Sequence, residues 1–326
     1  MKGIDVCLKV LRIFTNGEMK PRGDIRKDFC REVLVWRNLE HPNVLRFIGV
    51  NDDLFYPSFC LISPWMKNGN IISFLSQNPG HDRMQCIREV ANGLHYLHSH
   101  DPPVVHADIR GANILVTGDL HCCLADFGLA KAVMTRGPES YGDSKSGTVR
   151  WLAPEVLEVD ASSDWQYMTS RDIYAFGCTV VEIFTGRVPF SDIIHDTSVI
   201  FAVLQDDRRP KRPRRDELPY DSLWSLLEVC WSKDALKRPS SSSLVTMLNN
   251  LDLSGKSFRK KGASKSVQRL IITRYNLQTH RKLGIGRHFR CRVGDCGRSF
   301  SSSLTRQKHM IGCGKAAKGI APVLQN

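Results

Sequence analysis

Three short motifs in one order constrain this chain more than any other feature: His106-Ala107-Asp108-Ile109-Arg110-Gly111-Ala112-Asn113, then Asp126-Phe127-Gly128, then Ala153-Pro154-Glu155. A lone Asp-Phe-Gly arises by chance. The ordered set at these spacings is a specific signal, because ordinary turn residues do not recur in such a sequence. Ahead of it, residues 4–14 alternate and are rich in Val, Leu and Ile, a strand pattern. Residues 24–39 carry Phe29, Val33, Leu34, Trp36 and Leu39 at helical spacing. Residues 44–50 and 59–63 read as two further strands. From about residue 71 the pattern turns helical. The stretch 83–98 puts Met84, Ile87, Val90, Ala91, Leu94 and Leu97 on one face, and 172–185, 196–205, 221–231 and 240–251 predict more helices. A small, mostly β part with one helix therefore precedes a larger helical part.

The 326 residues suffice for one large domain plus a tail, or for two domains. The net charge of +13 is uneven: residues 252–326 hold 17 Lys and Arg against 2 Asp and Glu, and residues 1–251 hold 29 against 31. A basic tail after a near-neutral domain suits an acidic partner such as nucleic acid, or is a solvated extension. Ser254-Gly255-Lys256 opens a Lys, Ser and Gly-rich linker. The run Arg208-Arg209-Pro210-Lys211-Arg212-Pro213-Arg214-Arg215 reads as an exposed loop between helices in preference to a nuclear-import patch. Of the 11 cysteines, eight lie irregularly in the first 251 residues. That usage points to a reducing, intracellular compartment, cytoplasmic or nuclear, and away from a secreted disulfide scaffold. No signal peptide is apparent, and no stretch approaches eighteen consecutive apolar residues, so no membrane span is expected. There is no internal repeat.

The motif set resembles the protein-kinase signature. The resemblance covers roughly residues 4–251 and implies an α+β, bilobal fold, with a β-rich N-lobe to about residue 66 and a helical C-lobe to residue 253. It implies that Asp108 accepts or orients the proton of an attacking hydroxyl, and that Asn113 and Asp126 offer oxygens to the Mg²⁺ on ATP, a metal suited to hard ligands. Val6-Cys7-Leu8-Lys9 resembles the strand that carries the phosphate-binding lysine, with Glu32 where the family places its ion-pair partner. Ser63-Pro64-Trp65-Met66 resembles the hinge that binds adenine: Ser63 guards the back pocket, Pro64 keeps its carbonyl though it lacks an N–H, and Met66 supplies the N–H. Arg110 stands where Ser/Thr kinases usually carry Lys, keeping the charge but not the shape.

The stretch from Gly147-Thr148-Val149-Arg150-Trp151 to Glu155 looks like the peptide-binding end of an activation segment, in the form typical of Ser/Thr-directed members of the tyrosine-kinase-like group. Cys230-Trp231 and Lys237-Arg238-Pro239 resemble that group too, and the catalytic loop is similar to that of many fungal members. Glu155 and Arg238 match a structural ion pair, and Asp172 matches a helix Asp that holds the catalytic loop. The implied ligands are ATP, Mg²⁺ and a protein substrate.

Two positions depart from the family pattern. Only Gly3 precedes Lys9 among glycines, so the Gly-rich hairpin that covers the phosphates has no counterpart before it, and the N-lobe is expected to lack two strands. A fragment, a mis-started reading frame or a degenerate kinase would each show this. Ala107 replaces the Arg that pairs with a phosphorylated activation loop, so activation should depend less on phosphorylation at Ser140, Tyr141, Ser144, Ser146 or Thr148.

The tail carries Cys291, Cys296, His309 and Cys313 as C-x₄-C-x₁₂-H-x₃-C, which resembles a Cys₂His₂-type ββα zinc finger with Cys as the last ligand, over residues 287–315. Residues 254–286 would be a basic linker, in which 270–283 reads as a short helix, and 316–326 a disordered end. Phe289 and Phe300 match the small core of such fingers, while Arg306 stands where an apolar residue is expected. Ser302, Thr305 and Lys308 would face a nucleic-acid groove or a protein partner. Three readings stand: an active kinase, a catalytically weak scaffold, and a nucleic-acid or protein-binding module working through the tail. Oligomeric state is open.

Overall fold

The alternating N-terminal segment becomes the edge of a small antiparallel sheet. Among the described residues, five strands open the chain: β1 (Val6–Val10), β2 (Phe14–Thr15), β3 (Glu18–Met19), β4 (Gly49–Asn51) and β5 (Cys60–Pro64). The sheet order is β1-β5-β4, and β2 and β3 pair separately. Register sets Cys7 opposite Ser63 and Lys9 opposite Leu61. Because strand side chains alternate, Cys7 and Lys9 share the face of the buried Leu61 and Ser63, while Val6, Leu8 and Val10 face outward. The computed structural model describes residues 5–10, 14–15, 18–19, 30, 32–56, 58–127, 131–132, 148–157, 165–251, 289–290 and 299–300.

Two N-terminal expectations need correction. The strand predicted over 44–50 forms only at Gly49–Asn51. Val44 instead bridges to Leu124, and Leu45 N–H donates to the Leu124 carbonyl at 2.8 Å, which draws this apolar run into the core. The helix predicted over 24–39 stops at Trp36, with Arg37 and Asn38 in a turn. Trp36 Nε1 donates to the Leu45 carbonyl, tying that end to the same core.

The helical part follows the predicted periods closely. It contains α1 (Ile71–Gln77), α2 (Arg83–His98), α3 (Pro154–Leu157), α4 (Trp165–Thr185), α5 (Asp196–Leu204), α6 (Asp221–Cys230) and α7 (Ser241–Asn249). Asp82 caps α2, its carboxylate accepting from Met84 N–H and Gln85 N–H at 2.8 and 3.1 Å. Gly93 lets α2 approach closely, since a Cβ there would lie 2.5 Å from the Asn43 carbonyl. Helix α4 begins seven residues before the predicted 172–185. The buried polar residues Ser170 and Arg171 interrupt the apolar period there and hid its start. From Ser170 to Phe184 the helix is buried on every side, so it is the axis of this part.

Among the described residues, four short strands lie between α2 and α3: β6 (Val104–Val105), β7 (Ile114–Val116), β8 (Cys122–Leu124) and β9 (Lys131–Ala132), paired β6 with β9 and β7 with β8. The run 208–215 is an irregular connection, and its cations pair with Asp192, Asp207, Glu217 and Asp221.

The chain divides into Met1–Ser257 and Phe258–Asn326. In the second unit β10 (Phe289–Arg290) pairs antiparallel with β11 (Ser299–Phe300), Phe289 opposite Phe300. Cys291, Cys296, His309, Cys313, Ser302, Thr305, Arg306, Lys308 and the stretch 270–283 lie outside the described residues. Among the described residues no helix is long and apolar enough to cross a membrane.

Candidate active site

One face of α4 grips the loop that carries Asp108. Asp172, which is 1% exposed, accepts the His106 N–H at 2.8 Å, the Ala107 N–H at 2.9 Å and His98 Nε2–H at 3.0 Å. Two helical turns on, the Thr179 hydroxyl donates to the Ile109 carbonyl at 3.1 Å. Glu182 Oε2 then accepts the Gly111 N–H at 2.8 Å. A helix repeats every 3.6 residues, so positions 172 and 179 align and 182 lies beside them. The three contacts hold Ala107, Ile109 and Gly111 in turn. Ala107 sits at φ 66°, a left-handed conformation unfavourable for a residue with a Cβ, and the Asp172 bond keeps it there. His106 Nε2 donates to the Ala125 carbonyl at 3.0 Å and Nδ1 accepts the Asp108 N–H, which fixes the imidazole tautomer and joins this loop to the Asp126 segment.

Asp108, Asn113 and Asp126 converge above that rail. Asn113 Nδ2 donates to the Asp108 carbonyl at 2.9 Å and to Asp108 Oδ2 at 2.8 Å. The Ala125 N–H donates to the Asn113 carbonyl at 2.9 Å, and Asp126 follows at φ 65°. Lys9 Nζ lies 2.7 Å from both Glu32 Oε1 and Asp126 Oδ1. Burial alone would lower the Lys9 pKa, but the Glu32 and Asp126 carboxylates outweigh it and raise it above the ordinary lysine value.

The donor set fits Mg²⁺. Asp108 Oδ1 is buried with no hydrogen-bond partner, and the Asn113 amide has committed its nitrogen, so its oxygen is the end left for a cation. Among the described residues no three His, Cys, Asp or Glu side chains gather as a metal cage.

The predicted hinge residues end β5. Ser63 is buried. The Trp65 N–H donates to the Asp5 carbonyl and the Ile48 N–H to the Ile62 carbonyl, so odd positions bond toward β1 and even ones toward the opposite edge. Pro64 is the last residue of β5, beyond the last β4 pair at Gly49 and Ile62, and Met66 follows the strand's end.

The acceptor side is built from Arg110 and residues 148–151. Arg110 Nη1 donates to the Thr148 hydroxyl at 3.3 Å, and its guanidinium lies 5.0 Å over the Trp151 ring. Arg150 is buried and donates to Asp196 and to the carbonyls of Pro189, Phe190, Ile193 and Ile194, which anchors this segment to the loop before α5. Arg238 makes a bidentate pair with Glu155 at 2.7 and 2.8 Å, as the resemblance implied. Gly128, Ser140, Tyr141, Ser144, Ser146 and Gly147 lie outside the described residues. Sequence reasoning missed Arg150, Thr179 and Glu182. The available signal was polar residues at 179 and 182 inside the otherwise apolar run that follows Asp172 in α4.

The protein tyrosine and serine/threonine kinase family profile matches residues 1–248. Serine/threonine-protein kinase STY17 of Arabidopsis thaliana is 30% identical over 251 residues, 76% of this chain and 40% of that protein. Serine/threonine/tyrosine-protein kinase HT1 of the same plant is 29% identical over 76% of this chain and 60% of its own length. Receptor-interacting serine/threonine-protein kinase 3 of Rattus norvegicus is 32% identical over 69% of this chain and 49% of its own. The chain thus spans less than two-thirds of the length of these relatives. A profile match over residues 1–248, across the whole first part, shows that this chain belongs to the protein tyrosine and serine/threonine kinase family.

Proposed function

We propose that the first unit transfers the γ-phosphoryl group of Mg-ATP to Ser and Thr hydroxyls of protein substrates. The observation that carries this reading is the Lys9 ammonium set 2.7 Å from both Glu32 and Asp126, in a chain that also joins Asp108 to Asn113 at 2.8 Å. Lys9 is held cationic and aimed, as a group that meets the α- and β-phosphates must be. The acceptor oxygen forms a bond to the γ-phosphorus, the bond to the bridging oxygen breaks, and ADP leaves with the electron pair. Asp108 Oδ1, buried and unpartnered, takes or orients the hydroxyl proton. Asn113 and Asp126 would hold Mg²⁺, which when bound neutralises phosphate charge. Pro64 and Met66 present the adenine edge, and Ser63 lines the pocket behind it. Arg110, held by Thr148 and Trp151, faces the transferred group. The Gly-Thr form of the 147–148 segment and the serine/threonine relatives favour Ser and Thr as acceptors.

The tail is proposed as a single Zn²⁺ finger that contacts nucleic acid or protein. The ligand spacing supports it, as does the antiparallel pairing of Phe289 with Phe300 on either side of Cys291 and Cys296 in the sequence. The free thiols of Cys60, Cys86, Cys122, Cys123, Cys178 and Cys230 support a cytoplasmic or nuclear setting. The test of the main reading is phosphoamino-acid analysis of a generic protein substrate after incubation with labelled Mg-ATP. Phosphoserine and phosphothreonine are expected. Phosphotyrosine alone would overturn the acceptor assignment, and no label at all would favour a scaffold.

A further inference from the structure

We propose that a cavity beside the 208–215 run is a docking site for an acidic segment of a protein substrate, an inference that rests on the phosphotransfer reading. The cavity lies between the end of α4, the loop that follows it and the 210–217 connection, and holds about 220 Å³. Val181, Val188, Phe190, Pro210 and Pro213 supply its apolar lining. Arg187, Lys211, Arg212 and Arg214 also line it, against the carboxylates of Asp192 and Glu217. That volume is below the roughly 300–1,000 Å³ of a usual small-molecule site, and it suits one apolar side chain. A side chain buried there brings its neighbours in sequence among the cations. The matching occupant is therefore an apolar residue flanked by Asp or Glu.

The charge around the cavity is unbalanced. Asp192 pairs with both Arg208 and Lys211, at 2.6 and 2.9 Å. Glu217 pairs with both Arg187 and Arg214, at 2.7 and 3.6 Å. Asp221 pairs with both Arg212 and Arg215, and Asp216 with Arg214. Among the described residues these pairs set six cations against four carboxylates, a surplus of two. Burial would raise the Asp192 pKa, but Lys211 and Arg208 hold it below the ordinary carboxylate value, as a positive field does. The Lys211 and Arg214 side chains are 67% and 76% exposed, so their pairs are weak and an incoming carboxylate exchanges into them readily. The backbone beneath is fixed in advance. Arg208 N–H donates to the Ala202 carbonyl at 2.9 Å, Arg209 Nε donates to the Trp231 carbonyl at 2.9 Å, and Pro210 and Pro213 have fixed φ. The opposite wall is tied to the acceptor segment, since Arg150 Nη1 donates to the Pro189 and Phe190 carbonyls at 3.2 and 2.9 Å. The cavity and the acceptor segment thus share one loop.

The test uses the full chain and a fluorescent peptide in which one leucine stands between two glutamate pairs. One control peptide carries glutamine for glutamate, a second carries alanine for leucine, and a single-stranded oligonucleotide is a further probe. Anisotropy is read without ATP, so it does not depend on phosphotransfer. Wild type is expected to bind the acidic peptide about tenfold more tightly than either control peptide. The double variant Lys211→Gln with Arg214→Gln should weaken that binding about tenfold, and so should Val188→Asp, which sets a like charge in the lining. The basic tail is the same in all these proteins, so the difference reads the cavity. No binding by wild type, equal binding by wild type and the variants, or equal binding of the leucine and alanine peptides would overturn the proposal. So would loss of oligonucleotide but not peptide binding in the variants, which would assign the cations to nucleic acid. If one variant does not fold, the other decides. With a Ser/Thr acceptor joined to the acidic segment by a flexible linker, kcat/KM should fall about tenfold in the variants, while a short acceptor peptide without that segment keeps its value within about twofold. An equal fall for both substrates would refute docking. If wild type transfers no phosphate, the phosphotransfer reading fails by itself and anisotropy decides this one.

Discussion

Replacing Asp172 by Ala removes the acceptor for three donors at once. His106 N–H, Ala107 N–H and His98 Nε2–H lie 2.8, 2.9 and 3.0 Å from its oxygens, and the residue is 1% exposed, so all three donors lose a buried charged acceptor. A hydrogen bond to a charged group contributes about 1.5–3 kcal/mol, and breaking a buried network of this kind costs roughly 3–5 kcal/mol. In a domain of this size each kcal/mol moves Tm by about 2–4 °C, so a fall of roughly 10 °C is expected by calorimetry. The functional loss should exceed the stability loss. Ala107 holds its left-handed φ of 66° against local preference, and release of its N–H lets the loop relax under Asp108. A displacement of an ångström costs about 10²-fold in rate. Phosphate transfer, measured well below the variant's Tm, should therefore fall about 10²-fold. A Tm within about 2 °C of wild type with unchanged kcat would refute the reasoning.

Gly111→Ala places a methyl 2.4 Å from Ile72, so it should destabilise by about 1–3 kcal/mol in a denaturant melt and depress transfer; an Ile72→Ala background should restore part of both. Arg238→Met strands Glu155, whose two bonds of 2.7 and 2.8 Å come from a fully buried guanidinium, and should cost about 3 kcal/mol by chemical denaturation. Glu217 and Asp221 are held below their ordinary pKa by Arg187 and Arg212 respectively. The stability they add is present above the usual carboxylate range and is lost as pH falls through the depressed values. Melts between about pH 5 and pH 3 should show that loss, reduced in high salt because both pairs touch solvent.

The sequence disclosed those parts of the site whose residues must be particular atoms in a particular order. Asp108, Asn113 and Asp126 announce themselves by spacing, and Lys9 and Glu32 by the strand and helix around them. Helix α2 was legible because Met84 to Leu97 repeats at one period. Helix α4 was half legible, since a helix buried on all sides has no polar face to mark its limits and Ser170 and Arg171 broke its apolar run. Residues 44–50 look like a strand locally, but the pull of Leu124 on Val44 and Leu45 is a long-range contact that no local pattern contains. Glu182 and Arg150 bond to partners 31 to 71 and 39 to 46 positions away, so the sequence could mark Glu182 as out of place in an apolar run but could not name the partners of either residue.

The most direct measurement is single-turnover transfer from labelled Mg-ATP to protein, run on wild type and Asp108→Asn, with nucleotide binding followed in both. The account predicts equal binding, transfer by wild type, and a loss of at least about 10²-fold in the variant, as removal of a general base requires. Equal transfer by the two proteins would contradict the role of Asp108, and binding without transfer in folded wild type would contradict the catalytic reading itself.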